Sequence, residues 1–566
     1  MQLTHAYDHF YRYDEITSIL KGYEADFPQL CRLSSLATTP EGRSVWLLEI
    51  TNPETGGYSD KPAYFVNGNI HTGEVTGSMV AMGLLDSLFT GYQNKEENVL
   101  YLLDHFTFYV VPRITPDGSE CYLTTPDTIR SANRMYPYSK LMPGLQPKDM
   151  DGDGVIRKMR IKSPYGAWKV SDRDPRLMTK RRPDEVQGEF YDIYTEGEIL
   201  EFDGVTIKSA PQKWGQNFNR NFPSNWMDES IQSGSGAYPL SNVETRAMAD
   251  FVISHKNICC ALEMHTMTGM YLYPPSVLHK ADISPRDLRL FQLIGEMATE
   301  ETGYPVVNVR DDYISKSEEA GCAGTFNDFN FHMHGIIDYT VECWDLDPRA
   351  GVTFPHPVME PQSDQSNEEQ HLKYLQWIDR ENDGEGAKPW TKFNHPQLGE
   401  VEIGGIDYKY VVQNPPLKFL RQEVEKHVRF MLREANCMPQ VSFRKVDIQK
   451  IEDTFYQIDA YVMNTGFLPT QITEESFRRK IAEDLEVTLE GEGLTFISGK
   501  QTQAIGQLEG YSAVSSVSVS VGGMSSERAR PSEKKVTWIV KAAPGTHLTL
   551  TCKNSRIGCC KTESTL

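Results

Sequence analysis

The chain has no long apolar run. No stretch of its 566 residues is apolar over the length that crosses a bilayer, so we expect no membrane-spanning segment and no membrane partner. The opening residues, Met1 to Asp8, contain neither the basic region nor the apolar region of a secretory signal. These absences predict a cytoplasmic protein, or a chain that has been trimmed.

Basic clusters and a disulfide framework are also missing. The chain carries 57 Lys and Arg against 78 Asp and Glu, a net charge of −21, and its basic residues form no long run, which argues against a nucleic-acid partner. Four of the ten cysteines stand in two adjacent pairs, Cys259-Cys260 and Cys559-Cys560. That spacing is not a disulfide framework and favours a reducing compartment.

The length of the chain indicates two regions, because 566 residues are more than one hydrophobic core ordinarily organises. Residues 1–436 alternate strand and helix patterns, including amphipathic helices over 8–26 and 417–435, which predicts an α/β domain with a mixed, twisted sheet flanked by helices. Residues 140–210 break the alternation as an insertion, and residues 345–400 read as irregular. Residues 437–566 show short alternating strands, one of them near 515–520, which predicts an all-β sandwich domain.

One strand-to-helix junction organises the first region. His71-Thr-Gly-Glu74 follows the apolar run Ala63 to Val66 and precedes a helical pattern over 75–88. The junction lies at the carboxyl end of a strand, where open α/β sheets place their sites. Alone, the motif also fits an ordinary capped helix start.

Further polar residues stand where later strands end. His265 ends the strand over 258–264, and Glu342 follows the apolar run Ile336 to Val341. Two histidines and one carboxylate, His71, Glu74 and His265, suit a Zn²⁺ ion with one position left for water, and one ion per chain is expected. Glu342 is then the candidate general base. His265 alone could be a core histidine, but an unpaired buried carboxylate such as Glu342 is costly.

Two other motifs suggest ligands. Asn219 and Arg220 offer an amide and a guanidinium fork that suit a substrate's terminal carboxylate, although Arg220 could also be a plain ion pair. Asp149, Asp151 and Asp153 alternate as in the first half of a calcium loop, but Arg160 stands at its twelfth position. A structural Ca²⁺ site and a solvated acidic turn both remain open. His332 and His334 are interpreted as helix-surface residues.

These motifs together resemble the zinc carboxypeptidases of the carboxypeptidase A type, the M14 metallopeptidases, over roughly residues 1–436. The resemblance rests on Gly-Asn-Ile-His71-Thr-Gly-Glu74, Thr-Pro-Asp-Gly118, Asn219-Arg220-Asn221-Phe222, Glu-Met-His265 and Thr-Val-Glu342, in the family's order. It implies a mixed eight-stranded sheet and hydrolysis of the C-terminal peptide bond of peptides or proteins.

The resemblance also implies roles for single residues. His71, Glu74 and His265 would bind zinc, Glu342 would be the general base, and Asn219 and Arg220 would bind the substrate carboxylate. An arginine that polarises the scissile carbonyl should precede Asn219; Arg130 is the choice and Arg134 the reserve.

Several positions depart from the family pattern. Asn217 stands where the family often has an aspartate beside a zinc histidine. Tyr313 is the nearest candidate for the family's mobile tyrosine, ahead of Asp328-Phe329 in place of an Asp-Trp pair. Asn327 is expected in the specificity pocket and argues against a purely apolar one.

Two alternatives remain open. The first is a zinc amidohydrolase of the same fold that acts on N-acyl amino acids, glutamyl side chains or peptidoglycan stem peptides. The second is a binding protein with a vestigial zinc site, in which the sandwich captures a protein or glycan.

Overall fold

The computed structural model describes residues 3–318, 320–513 and 530–566. The strand predicted near 515–520 lies outside these residues. Within the described ranges, no helix combines the length and the apolar character needed to cross a membrane.

The helices and strands of the described residues follow in chain order. The helices are α1 Tyr13–Asp26, α2 Val75–Gln93, α3 Glu97–His105, α4 Pro116–Thr124, α5 Val243–Ser254, α6 Pro285–Thr302, α7 Phe326–Asp328, α8 Leu346–Arg349, α9 Asp364–Glu381, α10 Leu417–Ala435 and α11 Glu474–Arg478. The first strands are β1 Cys31–Thr38, β2 Ser44–Ile50, β3 Ala63–Gly68, β4 Thr107–Val111, β5 Gly144–Pro147, β6 Lys158–Lys162, β7 Trp168–Val170, β8 Met178–Lys180, β9 Tyr191–Thr195, β10 Gly197–Leu200, β11 Ile258–Thr266, β12 Met270–Tyr273, β13 Val306–Asn308 and β14 Ile337–Cys343. The later strands are β15 Ala387–His395, β16 Gly399–Ile406, β17 Val441–Glu452, β18 Phe455–Asn464, β19 Leu485–Gly491, β20 Thr495–Ser498, β21 Thr502–Gly506, β22 Glu533–Lys541, β23 His547–Asn554 and β24 Gly558–Thr565.

A mixed eight-stranded sheet forms the centre of the first region, as predicted. Its strand order is β1-β2-β4-β3-β11-β14-β12-β13. The neighbours β4, β3, β11 and β14 are parallel to one another. Strands β1 and β2 pair antiparallel with their neighbours, and β12 is antiparallel to β14 but parallel to β13. The central strands are apolar runs because both faces are covered, by α2, α6 and α10 on one side and by α5 on the other. The sheet therefore brings the carboxyl ends of β3, β11 and β14 to one edge.

The first helix begins later than predicted, at Tyr13 rather than residue 8. The backbone nitrogens of Tyr11 and Arg12, which lie inside the predicted helix, donate to Sδ of Met79 at 3.3 Å and to Oε2 of Glu15 at 2.8 Å. Backbone N–H groups that donate to side chains in this way are not available for the hydrogen bonds of a helix.

The insertion and the stretch after β14 are more regular than predicted. Strands β6 to β9 pair with β15 and β16 in an antiparallel six-stranded sheet of order β15-β16-β6-β9-β7-β8, and β5 pairs with β10. Helix α9 lies within the stretch interpreted as irregular. It is polar except for one narrow stripe of buried residues, Leu372, Tyr374, Leu375, Trp377 and Ile378, which its polar composition conceals.

The C-terminal region is a β-sandwich, as predicted. Its sheets have the orders β17-β18-β22-β20 and β21-β19-β23-β24, and their inner faces share one apolar core. Arg556 joins this sandwich to the first region, because its buried guanidinium donates to the backbone oxygens of Ile258 and His334. The domain boundary at 436–437 stays a prediction.

The helix-surface interpretation of the His-Met-His motif is wrong. His332 is buried in a short π-helical segment, Phe329–Met333, and its Nδ1 lies 3.6 Å from Oε1 of Glu475 in the sandwich region. His334 is partly buried with its ring edge-on to Phe329. The segment packs between the two regions, which a local reading of the sequence could not show.

Candidate active site

The turn between β3 and α2 is shaped by one asparagine. Asn69 adopts a left-handed backbone conformation with φ of 63°, which asparagine tolerates better than most residues. Its side-chain nitrogen donates to the backbone oxygens of His71 at 2.6 Å and Thr72 at 3.1 Å. These bonds fold the turn so that His71 and Glu74 face the same point.

Three buried side chains converge there. Nδ1 of His71 lies 2.9 Å from Oε1 of Glu74, and Nδ1 of His265 lies 3.0 Å from Oε2 of the same carboxylate. The two Nδ1 atoms are 3.1 Å apart. A tetrahedral ion with bonds of about 2.0 Å needs ligand atoms roughly 3.3 Å apart, so this set of two nitrogens and one carboxylate fits Zn²⁺ with little movement.

Burial sets the charge of these ligands. Burial, with the nearby Arg130 guanidinium, lowers the pKa of His71 to about 3, which keeps the imidazole in the neutral form that binds metals. Burial also disfavours a charge on His265, but the nearby carboxylates of Glu74, Glu263 and Glu342 together outweigh burial and raise the pKa of His265 to about 10. A metal ion would therefore displace a proton from His265 when it binds.

Neighbouring side chains orient both imidazoles. Oδ1 of Asn217 accepts from Nε2 of His71 at 3.0 Å, which leaves Nδ1 free for a metal. Nε2 of His265 faces Oε2 of Glu263 at 3.8 Å. Sequence reasoning missed Glu263, although the two-residue alternation of a strand places it on the same face of β11 as His265.

Glu342 lies beside this centre without belonging to it. It is the register neighbour of His265 on the parallel strands β11 and β14, so both side chains leave the sheet on one face. Burial, and then the Glu74 carboxylate, raises the pKa of Glu342 to about 7. Such a value suits a group that accepts and returns a proton near neutral pH.

A cavity of about 360 Å³ opens beside the centre; we call it the site cavity. Its lining includes His71, His265, Glu342, Asn219 and Arg220. Nη1 of Arg220 donates to the backbone oxygen of Asn219 at 2.7 Å, and Nη2 lies 3.0 Å from the sulfur of Cys322. Across the described ranges no carboxylate pairs with Arg220, so its guanidinium faces the cavity without a counter-ion.

The two candidate arginines lie in different surroundings. Arg130 donates from Nη1 to Oε1 of Glu74 at 3.0 Å and lines the site cavity. Arg134 instead binds both oxygens of Glu244, at 3.0 and 3.1 Å, and its guanidinium lies over the ring of Phe218. Only Arg130 of this pair lies at the centre.

Tyr313 and Asn327 both line the site cavity. Burial, and then the Glu342 carboxylate, raises the pKa of the Tyr313 phenol well above its ordinary value. Asn327 is buried, and its Oδ1 accepts from the backbone nitrogen of Asp328 at 2.8 Å, which fixes the amide. Two polar side chains therefore form part of the cavity wall.

The carboxylates of the acidic loop, Asp149, Asp151 and Asp153, are bound by other groups of the same chain. Lys388 places its ammonium 2.5 Å from Oδ2 of Asp151 and 2.6 Å from Oδ2 of Asp153, while Asp149 accepts from the backbone nitrogens of residues 152 and 154. The three carboxylates still lie close enough together to share an ion. Lys388 and Arg157, whose Nη1 lies 2.6 Å from Oδ2 of Asp153, together supply the two positive charges that a calcium ion would bring. The calcium prediction gains no support.

A family model described as zinc carboxypeptidase matches residues 16–368. The chain belongs to the zinc carboxypeptidase family. This family implies zinc as the metal and peptides as the substrates. Residues 440–565 match a second family model, described only as a domain of unknown function.

Curated relatives match parts of the chain. Carboxypeptidase A4 of Mus musculus is 22% identical over 262 residues, which are 46% of this chain and 45% of that protein. Cytosolic carboxypeptidase 2 of Xenopus tropicalis is 33% identical over 112 residues, 19% of this chain and 11% of that protein. Carboxypeptidase D of Anas platyrhynchos is 29% identical over 108 residues, and the chain spans only 8% of its length.

Solved zinc carboxypeptidases are similar at low identity. Thrombin-activatable fibrinolysis inhibitor shares 14% identity with a TM-score of 0.43, covering 76% of this chain and 74% of that one. The carboxypeptidase A of Helicoverpa armigera shares 17% identity with a TM-score of 0.39, covering 67% of this chain and 74% of that one.

Proposed function

We propose that the chain is a zinc-dependent metallocarboxypeptidase that removes the C-terminal residue of peptides or proteins. The observation that carries the proposal is Arg220, a guanidinium without a carboxylate partner in the described structure, in the cavity that Glu342, His71 and His265 also line. An unpaired cation beside the proposed zinc centre suits a substrate with a free terminal carboxylate.

Each residue of the site has a separate role in the proposed reaction. Arg220 and Asn219 bind the substrate carboxylate and so place the last peptide bond beside His71, Glu74 and His265. Zinc held by those three residues would activate a water molecule and polarise the scissile carbonyl. Arg130 donates to the carbonyl oxygen as negative charge develops there.

Glu342 moves the proton. Its carboxylate takes a proton from the attacking water and passes it to the nitrogen of the leaving amino acid. Tyr313, on the wall of the site cavity, contacts the bound C-terminal residue, and Asn327 gives the pocket a polar preference.

The first test is metal content together with the products of hydrolysis. Elemental analysis should give about one zinc per chain. A peptide with a free C terminus should lose its last residue, whereas the same peptide with a C-terminal amide should survive, because only the acid can bind Arg220. Zinc without peptide trimming, but with cleavage of N-acyl amino acids, would establish the amidohydrolase alternative instead.

The base is tested by Glu342→Gln. This change removes the proton acceptor but no zinc ligand, so zinc content should stay at the wild-type level while kcat falls by about 10³-fold. Glu400→Gln is the matched control, because Glu400 is an exposed residue of β16 paired with Lys392 at 3.0 Å. Near-native turnover in Glu342→Gln would contradict the assigned mechanism.

A further inference from the structure

An asparagine from a distant part of the chain contacts the turn between β3 and α2. Asn414 is fully buried and directly follows the π-helical segment Tyr408–Gln413. Its Nδ2 donates to the backbone oxygen of Gly73 at 2.7 Å, and its Oδ1 accepts from the backbone nitrogen of Thr76 at 3.1 Å and from Oγ1 of the same residue at 2.8 Å. Gly73 precedes Glu74 and Thr76 follows it by two residues, so Asn414 binds the chain on both sides of a proposed zinc ligand.

Helix α2 is not capped by its own N-terminal residue. Glu74 stands at the N-cap position, whose side chain ordinarily accepts a hydrogen bond from the first turn, but its carboxylate makes no such bond. The acceptor is Asn414 instead, because Thr76 is the second residue of the helix. The oxygens of Glu74 lie 2.9 Å from Nδ1 of His71 and 3.0 Å from Nδ1 of His265. A side chain that would otherwise cap the helix thus faces the proposed metal position.

The turn is packed against the segment that carries Asn414. A Cβ atom placed on Gly73 would lie 2.7 Å from Cε2 of Tyr122 and 2.8 Å from Oε1 of Gln413, so only glycine fits there. The hydroxyl of Tyr122 donates to the same Oε1 at 2.9 Å. The bonds of Asn414 therefore belong to a close-packed interface, in which the turn has little room to shift.

The segment that carries Asn414 is anchored to the six-stranded sheet. Strand β16 leads directly into Asp407, whose Oδ1 accepts from the backbone nitrogens of Lys409 at 2.8 Å and Tyr410 at 3.2 Å. The backbone nitrogen of Asp407 donates to the oxygen of Gly386 at 2.7 Å. The sheet therefore ends in a fixed segment, and that segment places Asn414 against the turn.

We propose that Asn414 is a positioning residue of the metal centre, which caps α2 in place of Glu74 and so leaves the Glu74 carboxylate to bind the metal. The inference rests on the proposed function, which assigns zinc to His71, Glu74 and His265. It adds that the six-stranded sheet, through Asn414, sets part of the geometry of this centre. Without the amide, the unpaired N–H of Thr76 would draw the Glu74 carboxylate toward the helix and away from the metal.

Zinc affinity is measured by competition with a chromogenic chelator, in the absence of substrate. Asn414→Ala should weaken zinc binding by about tenfold. The visible spectrum of the Co²⁺-loaded chain should change as well, because Co²⁺ absorption reports the arrangement of the ligands. Asn414→Asp keeps an acceptor for Thr76 in either ionisation state and should bind zinc more tightly than Asn414→Ala does.

Asn464→Ala is the matched control. Asn464 is a buried sandwich residue that accepts from the backbone nitrogens of Gln440 at 2.9 Å and Gly466 at 3.0 Å and donates to the backbone oxygen of Leu468 at 2.9 Å. Both alanine substitutions should lower the midpoint of urea unfolding, because each leaves buried backbone groups unpaired. Only Asn414→Ala should weaken zinc binding.

Unchanged zinc affinity in Asn414→Ala would overturn the inference, and so would an equal loss in Asn464→Ala or an Asn414→Asp variant that binds zinc no better than Asn414→Ala. Trimming of a peptide with a free C terminus by the unsubstituted, zinc-loaded chain tests the proposed function separately. Zinc binding that depends on Asn414 without such trimming supports the positioning role and contradicts the peptidase. Trimming with unchanged zinc affinity in Asn414→Ala supports the peptidase and contradicts the positioning role.

Discussion

At the scale of single residues, the centre depends on hydrogen bonds that fix each imidazole. The Asn217 amide at 3.0 Å from Nε2 of His71 decides which ring nitrogen faces the metal position. An amide orients the ring but brings no negative charge, whereas a carboxylate would also make the imidazole more basic. The residue at position 217 should therefore tune the affinity for zinc in both directions.

Substitution of Asn217 tests this idea. Asn217→Ala should weaken zinc binding by about 10- to 100-fold, and Asn217→Asp should strengthen it, as measured by competition with a chromogenic chelator. Asn133→Ala is the control, because Asn133 contacts Glu41 and not the centre. Unchanged affinity in Asn217→Ala would show that the ring is held by other contacts.

A second buried carboxyl makes a residue-scale prediction about pH. Burial raises the pKa of Glu434 to about 8 from its ordinary value of 4.5, and its Oε2 accepts from the hydroxyl of Tyr64 at 2.6 Å. The folded chain thus holds a proton that the unfolded chain has released. The stability contribution of Glu434 is present below pH 4.5 and is lost as the pH rises toward 8.

Glu434→Gln should remove this pH dependence, because glutamine mimics the protonated acid. Between pH 4.5 and 8 the wild type should lose at most about 5 kcal/mol more of its unfolding free energy than the variant does. Urea unfolding across that range gives the comparison. Glu425→Gln, on the same helix but paired with Arg421 at the surface, should behave like the wild type.

At the scale of elements, the sandwich is tied to the central sheet by the turn between β23 and β24. Arg556 in that turn is 4% exposed and reaches the backbone oxygens of Ile258, at the start of β11, and of His334. The next strand follows closely, since the backbone nitrogen of Cys559 donates to the oxygen of Asp60 at 3.0 Å. The sandwich thus supports β11, the strand that delivers His265.

Arg556→Ala should therefore destabilise the whole chain. Two buried carbonyl groups lose a donor, and we expect a loss of about 2 kcal/mol, seen as a lower midpoint of urea unfolding. Arg444→Ala removes an exposed sandwich arginine paired with Glu533 and should change the midpoint little. Equal effects of the two substitutions would contradict a docking role for Arg556.

At the scale of the whole molecule, local patterns predicted the central sheet and its junctions. The apolar run before His71 and the run ending at Glu342 are strands whose partners lie beside them in a parallel sheet, so both residues reach one edge. Sequence analysis missed Glu263 because a single acidic residue in an apolar strand indicates a functional site only when its spatial neighbour, here His265, is considered with it. The roles of these residues stay predictions.

Pairing between strands that are distant in the sequence explains why the six-stranded sheet and α9 were not predicted. Strand β6 pairs with β16 through Arg160 and Glu402, so neither the insertion nor the later stretch shows a sheet when read alone. Helix α9 buries a stripe against this sheet that its polar composition hides.

The six-stranded sheet also constrains how this protein arose. Its strands come from two stretches, β6 to β9 and then β15 and β16, and the chain between them passes through β11 to β14 of the central sheet. The sheet could not have been inserted as one contiguous cassette. If either stretch were deleted, the strand edge of the other that now pairs between β6 and β16 would be exposed.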